Sequence, residues 1–183
     1  MGFFDSLKSM FASVNSSATS DYADLTPDER SLLNKISAIN RTGRNISPEL
    51  YQQLRDFEIA WLDRHYDTST VEKVNAIPIS ANIPRAPAPK YSPMGPGHTG
   101  EVYYYLRHKA YRYEESGNMD LAIACMKRSV SLVKCRSYSS ADDRTPLAKM
   151  LARAGMIQEA KEEMRIINRD FGKDTLPLRI IEA

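Results

Sequence analysis

AYRYEESGNMDLAIACM, residues 110–126, and AKMLARAGMIQEAKEEM, residues 148–164, decide the fold of this chain. The second stretch repeats the residue types of the first 38 positions later, counted from residue 110 to residue 148. The matching pairs are Ala110 and Ala148, Tyr113 and Leu151, Gly117 and Gly155, Ala122 and Ala160, and Met126 and Met164. A small residue allows helices to cross closely, a large residue fills the layer beneath, and Gly permits a tight turn. The pattern therefore predicts two consecutive helix-turn-helix units.

The surrounding residues extend this pattern. Residues 100–172 are helical in period throughout, and three turn segments divide them into four helices, which make two hairpins. In the third helix we expect Thr145 to cap a shortened helix whose first residue is Pro146. The apolar tail, residues 173–183, is expected to pack on the last helix and cap it.

The order of small residue, large residue, turn Gly, Ala and bulky residue resembles the tetratricopeptide repeat family. By that resemblance the C-terminal half holds two repeats, which form a fragment of an α-solenoid. Their spacing exceeds the family's usual length of about 34 residues, and we assign the excess to residues 134–140. The family's early aromatic is replaced by Leu106 and Arg144, and its late Ala by Ser129 and Ile167. Its closing Pro is missing from both repeats.

Residues 25–66 predict another helical hairpin. Thr26-Pro27-Asp28-Glu29 has the composition of a capping box with Pro in the first helical position, and Ser47-Pro48 opens the second helix. Apolar residues follow the helical period in both: Leu32, Leu33, Ile36, Ile39, Leu50, Leu54, Phe57 and Trp61.

The remaining segments connect or extend the hairpins. Residues 67–99 contain six prolines, which deny helical hydrogen bonds and indicate a proline-rich linker or strap. Residues 1–24 are predicted as a short amphipathic helix followed by a flexible tether. The predicted fold class is therefore all-α, built of antiparallel helix hairpins with a proline-rich connection.

The resemblance also implies a binding groove. In the family the first helix of each repeat lines a concave surface, which here would present Tyr104, Arg107, Tyr111, Glu115, Lys149 and Arg153. Such an aromatic and basic face suits carboxylates or an extended acidic peptide. Some family members clamp a partner's C-terminal carboxylate with Lys and Asn, but Arg107 and Tyr111 occupy those places, so a chaperone-tail receptor is not expected. The alternative is a solvated face whose aromatic rings pack on the neighbouring hairpin.

Composition and motifs argue against several function classes. The formal charge of +2 gives no electrostatic reason to expect nucleic acid. Cys125 and Cys135 lie about 15 Å apart along one predicted helix and cannot pair there, which indicates free thiols and a reducing, cytoplasmic location. No apolar run reaches the roughly 18 residues of a membrane span. His65, His98 and His108 lack metal-binding spacing, so we predict no metal, no cofactor and no catalytic residue.

These observations predict a non-catalytic adaptor that binds a protein or peptide. One alternative is a peripheral membrane protein held by residues 1–14, although Lys8 is their only cation and attraction to anionic lipid would be slight. Another is a nucleic-acid binder or an enzyme whose site is not visible in sequence. The tyrosines at 103–105 cannot form one stacking platform, because helical geometry spreads them around the axis.

Overall fold

The computed structural model describes residues 24–79, 86–87, 91–92, 95–96, 101–134 and 141–172. In these residues the fold is all-α, as predicted. The helices are α1 (Pro27–Arg41), α2 (Pro48–His65), α3 (Val71–Ala76), α4 (Val102–Glu115), α5 (Met119–Lys134), α6 (Ala141–Arg153) and α7 (Ile157–Phe171). Two strands of two residues each, β1 (Tyr91–Ser92) and β2 (Gly95–Pro96), pair antiparallel. The expectations for residues 1–23, for the turn at 135–140 and for the tail at 173–183 lie outside the described residues.

The chain divides into two compact units. One contains Met1–Trp61 and Arg85–Gly100, and the other contains Leu62–Pro84 and Glu101–Ala183. The division therefore falls inside α2, a few residues before the boundary predicted at residue 66. None of the helices in the described ranges has the length and apolar character needed to cross a membrane.

In the first unit the predicted start of α1 is confirmed. The backbone N–H of Glu29 donates to Thr26 Oγ1 (3.3 Å), and the Glu29 carboxylate accepts from the backbone N–H of Thr26 (2.9 Å). Trp61, near the end of α2, donates its indole N–H to Asp24, just before α1 (3.4 Å). The two helices are therefore antiparallel. Their buried apolar residues are Leu33, Ile36, Leu50, Leu54, Phe57, Trp61 and Leu62, and Glu58 is buried as well.

The prediction of a linker from residue 67 onward is wrong at its start. Helix α3 lies there and packs on α5. The Thr70 hydroxyl accepts from the backbone N–H of Lys73 (3.3 Å), which caps the helix, and Val74 and Ile77 are buried. The first proline of the segment is Pro78, so nothing before it opposes a helix. The side chain of Arg128 on α5 donates to the carbonyl oxygen of Ile77 and fixes the end of this element.

Helices α4 and α5 form one hairpin and α6 and α7 form the next. Their turns are built alike. Gly117 N–H donates to Glu114 O (3.0 Å) and Asn118 N–H to Tyr113 O (2.8 Å). The same bonds recur 38 residues later, from Gly155 to Ala152 (3.0 Å) and from Met156 to Leu151 (2.9 Å). This pair of bonds defines a Schellman turn, which needs a left-handed residue, and Gly117 and Gly155 have φ of +80° and +77°.

Helix α5 is buried on almost every side. Residues 121–126 are all buried, together with Ser129, Val130, Leu132 and Val133. It contacts α3, α4 and α6. A helix that is apolar all round is stable only when neighbours cover it, so α5 forms the core of the second unit. Helix α7 has one buried stripe, formed by Ala160, Met164 and Ile167.

The expected cap at Thr145 is also wrong. Helix α6 begins at Ala141 and contains Pro146 in its interior. The Thr145 hydroxyl donates to the carbonyl oxygen of Ala141 (2.8 Å), a bond within the helix rather than a cap. Asp142 and Asp143 occupy the first turn, where carboxylates are favoured by the helix dipole. The acidic turn therefore starts the helix earlier than the Thr-Pro signal indicated.

The two Schellman turns give a stability prediction. Replacing Gly117 by Ala should lower the free energy of unfolding by about 1 kcal/mol, because a Cβ disfavours the left-handed conformation. No atom lies within 4 Å of a Cβ built at Gly117 or Gly155, so the cost is backbone strain alone. Gly117→Asn should cost less, since Asn tolerates this conformation. Urea unfolding of these two variants, and of Gly155→Ala and Gly155→Asn, provides the measurement. If either Ala substitution raised the free energy of unfolding, the turn geometry would be contradicted.

Candidate protein-binding face

The six residues of the predicted groove lie on α4 and α6, the first helices of the two hairpins. We call the surface formed by these residues the α4–α6 face. The sequence predicts that its two arginines, Arg107 and Arg153, are available to a ligand. Instead each arginine contacts a carboxylate on the neighbouring hairpin.

Arg107 on α4 reaches Asp143 on α6. Its Nη2 lies 3.0 Å from Asp143 Oδ1, and the two side chains are only 18% and 17% exposed. The guanidinium also lies over the ring of Tyr104, 5.8 Å from its centroid. Tyr104 is half-buried, and the centroid of its ring lies 4.1 Å from the centroid of the Tyr103 ring. This end of the face is therefore a packed contact between the hairpins.

Arg153 on α6 makes the reciprocal connection to Glu114 on α4. Its Nε and Nη2 donate to the two carboxylate oxygens of Glu114, at 2.7 and 3.0 Å. This forked arrangement is the strongest geometry available to an arginine and a carboxylate. A third pair, Lys127 with Glu159 at 2.6 Å, connects α5 with α7. Three ion pairs thus link the first hairpin to the second.

The rest of the α4–α6 face is open to solvent. The side chains of Tyr111, Glu115 and Lys149 are exposed, with Tyr111 at 40%. Glu115 contacts the equally exposed Arg112 at 3.5 Å. With both arginines paired inside the chain, the face presents an aromatic ring and a near balance of charge. It is less basic than the sequence alone indicated.

Sequence reasoning missed a polar network that holds residues 63–68 against α4. The Tyr105 hydroxyl donates to Asp63 Oδ1 (2.6 Å), and Lys109 Nζ lies 3.1 Å from the same oxygen. The Tyr113 hydroxyl donates to the carbonyl oxygen of Thr68 (2.8 Å). Lys109 also lies over the rings of Tyr105 and Tyr113, at 6.0 and 5.5 Å from their centroids. The signal available in the sequence was the recurrence of Tyr105, Lys109 and Tyr113 on one helical face.

Burial favours the protonated form of two tyrosines and one cysteine of the second unit. Burial, together with the hydrogen bond to Asp63, raises the pKa of Tyr105 well above its usual range. Burial raises the pKa of Tyr66 to about 12. The Cys125 thiol is buried in α5, and burial raises its pKa to about 12. Because the thiolate is the reactive form, Cys125 is a poor nucleophile at neutral pH.

A second feature that sequence reasoning missed is the buried ion pair between Arg144 on α6 and Glu163 on α7. The atoms Nη2 and Oε2 lie 2.5 Å apart, and the side chains are 5% and 17% exposed. A cavity of about 340 Å³ adjoins the pair and is bounded by α5, α6 and α7. In sequence, Arg144 stood out only because it occupied a position where the family has an aromatic residue.

Other open cavities lie elsewhere in the described residues, and they include the following two. One of about 430 Å³ is lined by residues of the turn between α1 and α2. The other, of about 530 Å³, is mostly apolar and is lined by residues between His65 and Pro78. In the described ranges, no three His, Cys, Asp or Glu side chains converge closely enough to hold a metal ion.

Comparison of the chain with protein-family models, with curated proteins and with solved structures gave no match. Inferences about function therefore depend on the contacts and charges described above.

The ion pairs between the hairpins differ in burial, which predicts different strengths. A double-mutant cycle on Arg107 and Asp143 should give a coupling of about 1 kcal/mol or more, because water screens this pair poorly. The cycle on Glu114 and Arg153, where Arg153 is 51% exposed, should give about 0.5 kcal/mol. Unfolding free energies at low and at high salt provide the measurement. Salt should weaken the second coupling more than the first, and the reverse order would contradict the described burial.

The network around Asp63 predicts that the hydroxyl of Tyr105 contributes to the free energy of unfolding and that the hydroxyl of Tyr111 does not. Tyr105→Phe leaves the Asp63 carboxylate without its closest donor and should lower the free energy of unfolding by about 1 to 2 kcal/mol. Tyr111→Phe is the matched control on the same helix, since its exposed hydroxyl should contribute close to nothing. Thermal or urea unfolding compares the two variants, and equal effects would rule out the network as a stabilising feature.

Proposed function

We propose that this chain is a non-catalytic adaptor that binds a protein or an extended peptide on the α4–α6 face. We also propose that its two C-terminal hairpins are tetratricopeptide-like repeats. The observation that supports both proposals is that the turns of the two hairpins have the same pair of backbone hydrogen bonds and the same left-handed Gly, 38 residues apart. Hairpins that repeat in this way place their first helices side by side, and such arrays offer an extended surface to a partner.

The paired arginines support a revised idea of the partner. Because Arg107 and Arg153 already contact carboxylates, they have little to offer an acidic ligand. Tyr111 and Lys149 remain exposed, and a rigid aromatic side chain supplies contact area at a low cost in conformational entropy. We therefore propose a partner segment with apolar or aromatic side chains and little net charge, in preference to a strongly acidic one.

The described chemistry gives less support to catalysis. The buried tyrosine and cysteine are protonated at neutral pH, which is opposite to the requirement for a base or nucleophile. A cytoplasmic location is part of the proposal, since Cys125 is a free thiol in the core.

The adaptor proposal predicts that exposed residues of the α4–α6 face control partner binding. The full chain is used as bait in extracts of its source cells, and co-purifying proteins are quantified for wild type and for Tyr111→Ala/Lys149→Glu. At least one protein should fall about tenfold or more, as expected when a central aromatic contact is lost. These substitutions leave the ion pairs between the hairpins intact.

Tyr51→Ala provides the matched control, because Tyr51 is 39% exposed and lies on α2. This variant should retain the proteins that the double variant loses, and circular dichroism should show equal helix content in all three baits. If the double variant captures every protein as well as wild type does, the α4–α6 face is not the binding surface.

A further inference from the structure

Arg144 is a buried cation with unused hydrogen-bonding capacity. The residue is 4% exposed, and only its Nη2 contacts Glu163. Its Nε and Nη1 are buried and have no acceptor among the described residues. A buried N–H group without an acceptor is costly, so such groups in folded proteins generally meet water or a ligand. Arg144 also lines the 340 Å³ cavity between α5, α6 and α7.

The cavity can hold more than one water molecule, whose share of liquid volume is about 30 Å³. Three buried apolar residues, Val130, Leu147 and Leu151, form part of its lining. Polar groups of Lys127, Ser131 and Glu159 form another part. A ligand with a short aliphatic stem and a polar end group would match both parts of this lining.

The charges around the cavity favour an uncharged end group. Lys127 pairs with Glu159 at 2.6 Å, Arg144 with Glu163 at 2.5 Å, and Glu162 with Arg165 at 3.0 Å. An entering anion would lie beside the carboxylates of Glu159 and Glu163. An entering cation would lie beside Arg144 and Lys127. Either charge would lose its hydration without gaining an unpaired counter-ion.

We propose that this cavity, the Arg144 cavity, binds an uncharged amide of a polypeptide. The amide carbonyl accepts from Nε or Nη1 of Arg144, and the amide N–H donates to the carboxylate of Glu163. The aliphatic part of the ligand packs against Leu147 and Leu151. An amide is the group that combines an adjacent acceptor and donor without charge. None of the residues that line the cavity belongs to the α4–α6 face, so the site does not depend on the adaptor proposal.

Both a Gln or Asn side chain and a peptide backbone carry this amide. The test distinguishes them with three small probes: propionamide for the side chain, N-methylacetamide for the backbone, and propionate as an anion of nearly the same shape as propionamide. Each probe is titrated into the full-length, ¹⁵N-labelled protein while the Nε–H signals of arginine side chains are recorded by NMR. The Arg144 signal is the one that disappears in Arg144→Lys.

We expect the Arg144 signal to shift to saturation with at least one amide probe. That amide should bind about tenfold or more tightly than propionate, because its neutral carbonyl is not repelled by the carboxylates of Glu159 and Glu163. The tighter amide identifies the side chain or the backbone as the natural ligand. The proposal is overturned if neither amide gives a saturable shift, which leaves water as the occupant, or if propionate binds as tightly as the amides.

Two variants locate the binding. Arg144→Lys keeps a cation for Glu163 but removes the Nε and Nη1 donors, so the saturable shifts of neighbouring backbone signals should be lost. Arg169→Lys changes an arginine that is 72% exposed on α7 and pairs with Asp170, neither of which lines the cavity, so its response to propionamide should equal that of wild type. Circular dichroism verifies that Arg144→Lys is folded. If it is not, the selectivity of the wild-type protein for amide over carboxylate, measured on its backbone amide signals, still decides the outcome.

Discussion

The second unit depends on the need to cover α5 on every side except the narrow one where Asp120 and Lys127 are exposed. A helix with so many apolar residues around its circumference cannot leave a face in water without a large loss of hydrophobic stabilisation. Helix α4 covers one side through the tight turn at Gly117, and α6 and α3 cover others. The second hairpin and the short α3 are therefore parts of the core rather than attachments to a stable first hairpin. Arrays of helical repeats share this dependence on neighbours.

Polar contacts fix the relative arrangement of the two hairpins, which apolar packing alone does not determine. Apolar packing is non-directional, and it allows two hairpins to slide or rotate with a modest loss of contact. Ion pairs and forked hydrogen bonds have a preferred geometry, and here they connect α4 with α6 and α5 with α7. They select one arrangement of the hairpins. The same use of Arg107 and Arg153 inside the fold reduces the charge that they can offer to a partner.

The features that the sequence predicted are those encoded by neighbouring residues. The capping box at Thr26, the helical stripes and the turns at Gly117 and Gly155 each depend on a few adjacent positions, and each is present. Helix α3 was not predicted, because the prolines after residue 77 indicated an extended conformation for the whole segment 67–99. The ion pairs were missed because they depend on side-chain reach between helices, although Arg107 and Asp143 carry opposite charges roughly one repeat apart. Arg144 was noticed only as an exception, and its burial could not be read from its neighbours in sequence.

The contrast between α5 and α7 affects whether another hairpin could pack on α7. The outward positions of α7 carry Glu162, Arg165 and Arg169, all exposed, whereas most of the circumference of α5 is buried. A further hairpin that packed on this side would have to strip water from these charges, which costs more than the apolar contact returns unless each charge finds a partner. The charged side chains on the outer face of α7 therefore oppose the stacking of one molecule on another. Repeat proteins must avoid such stacking to stay in solution.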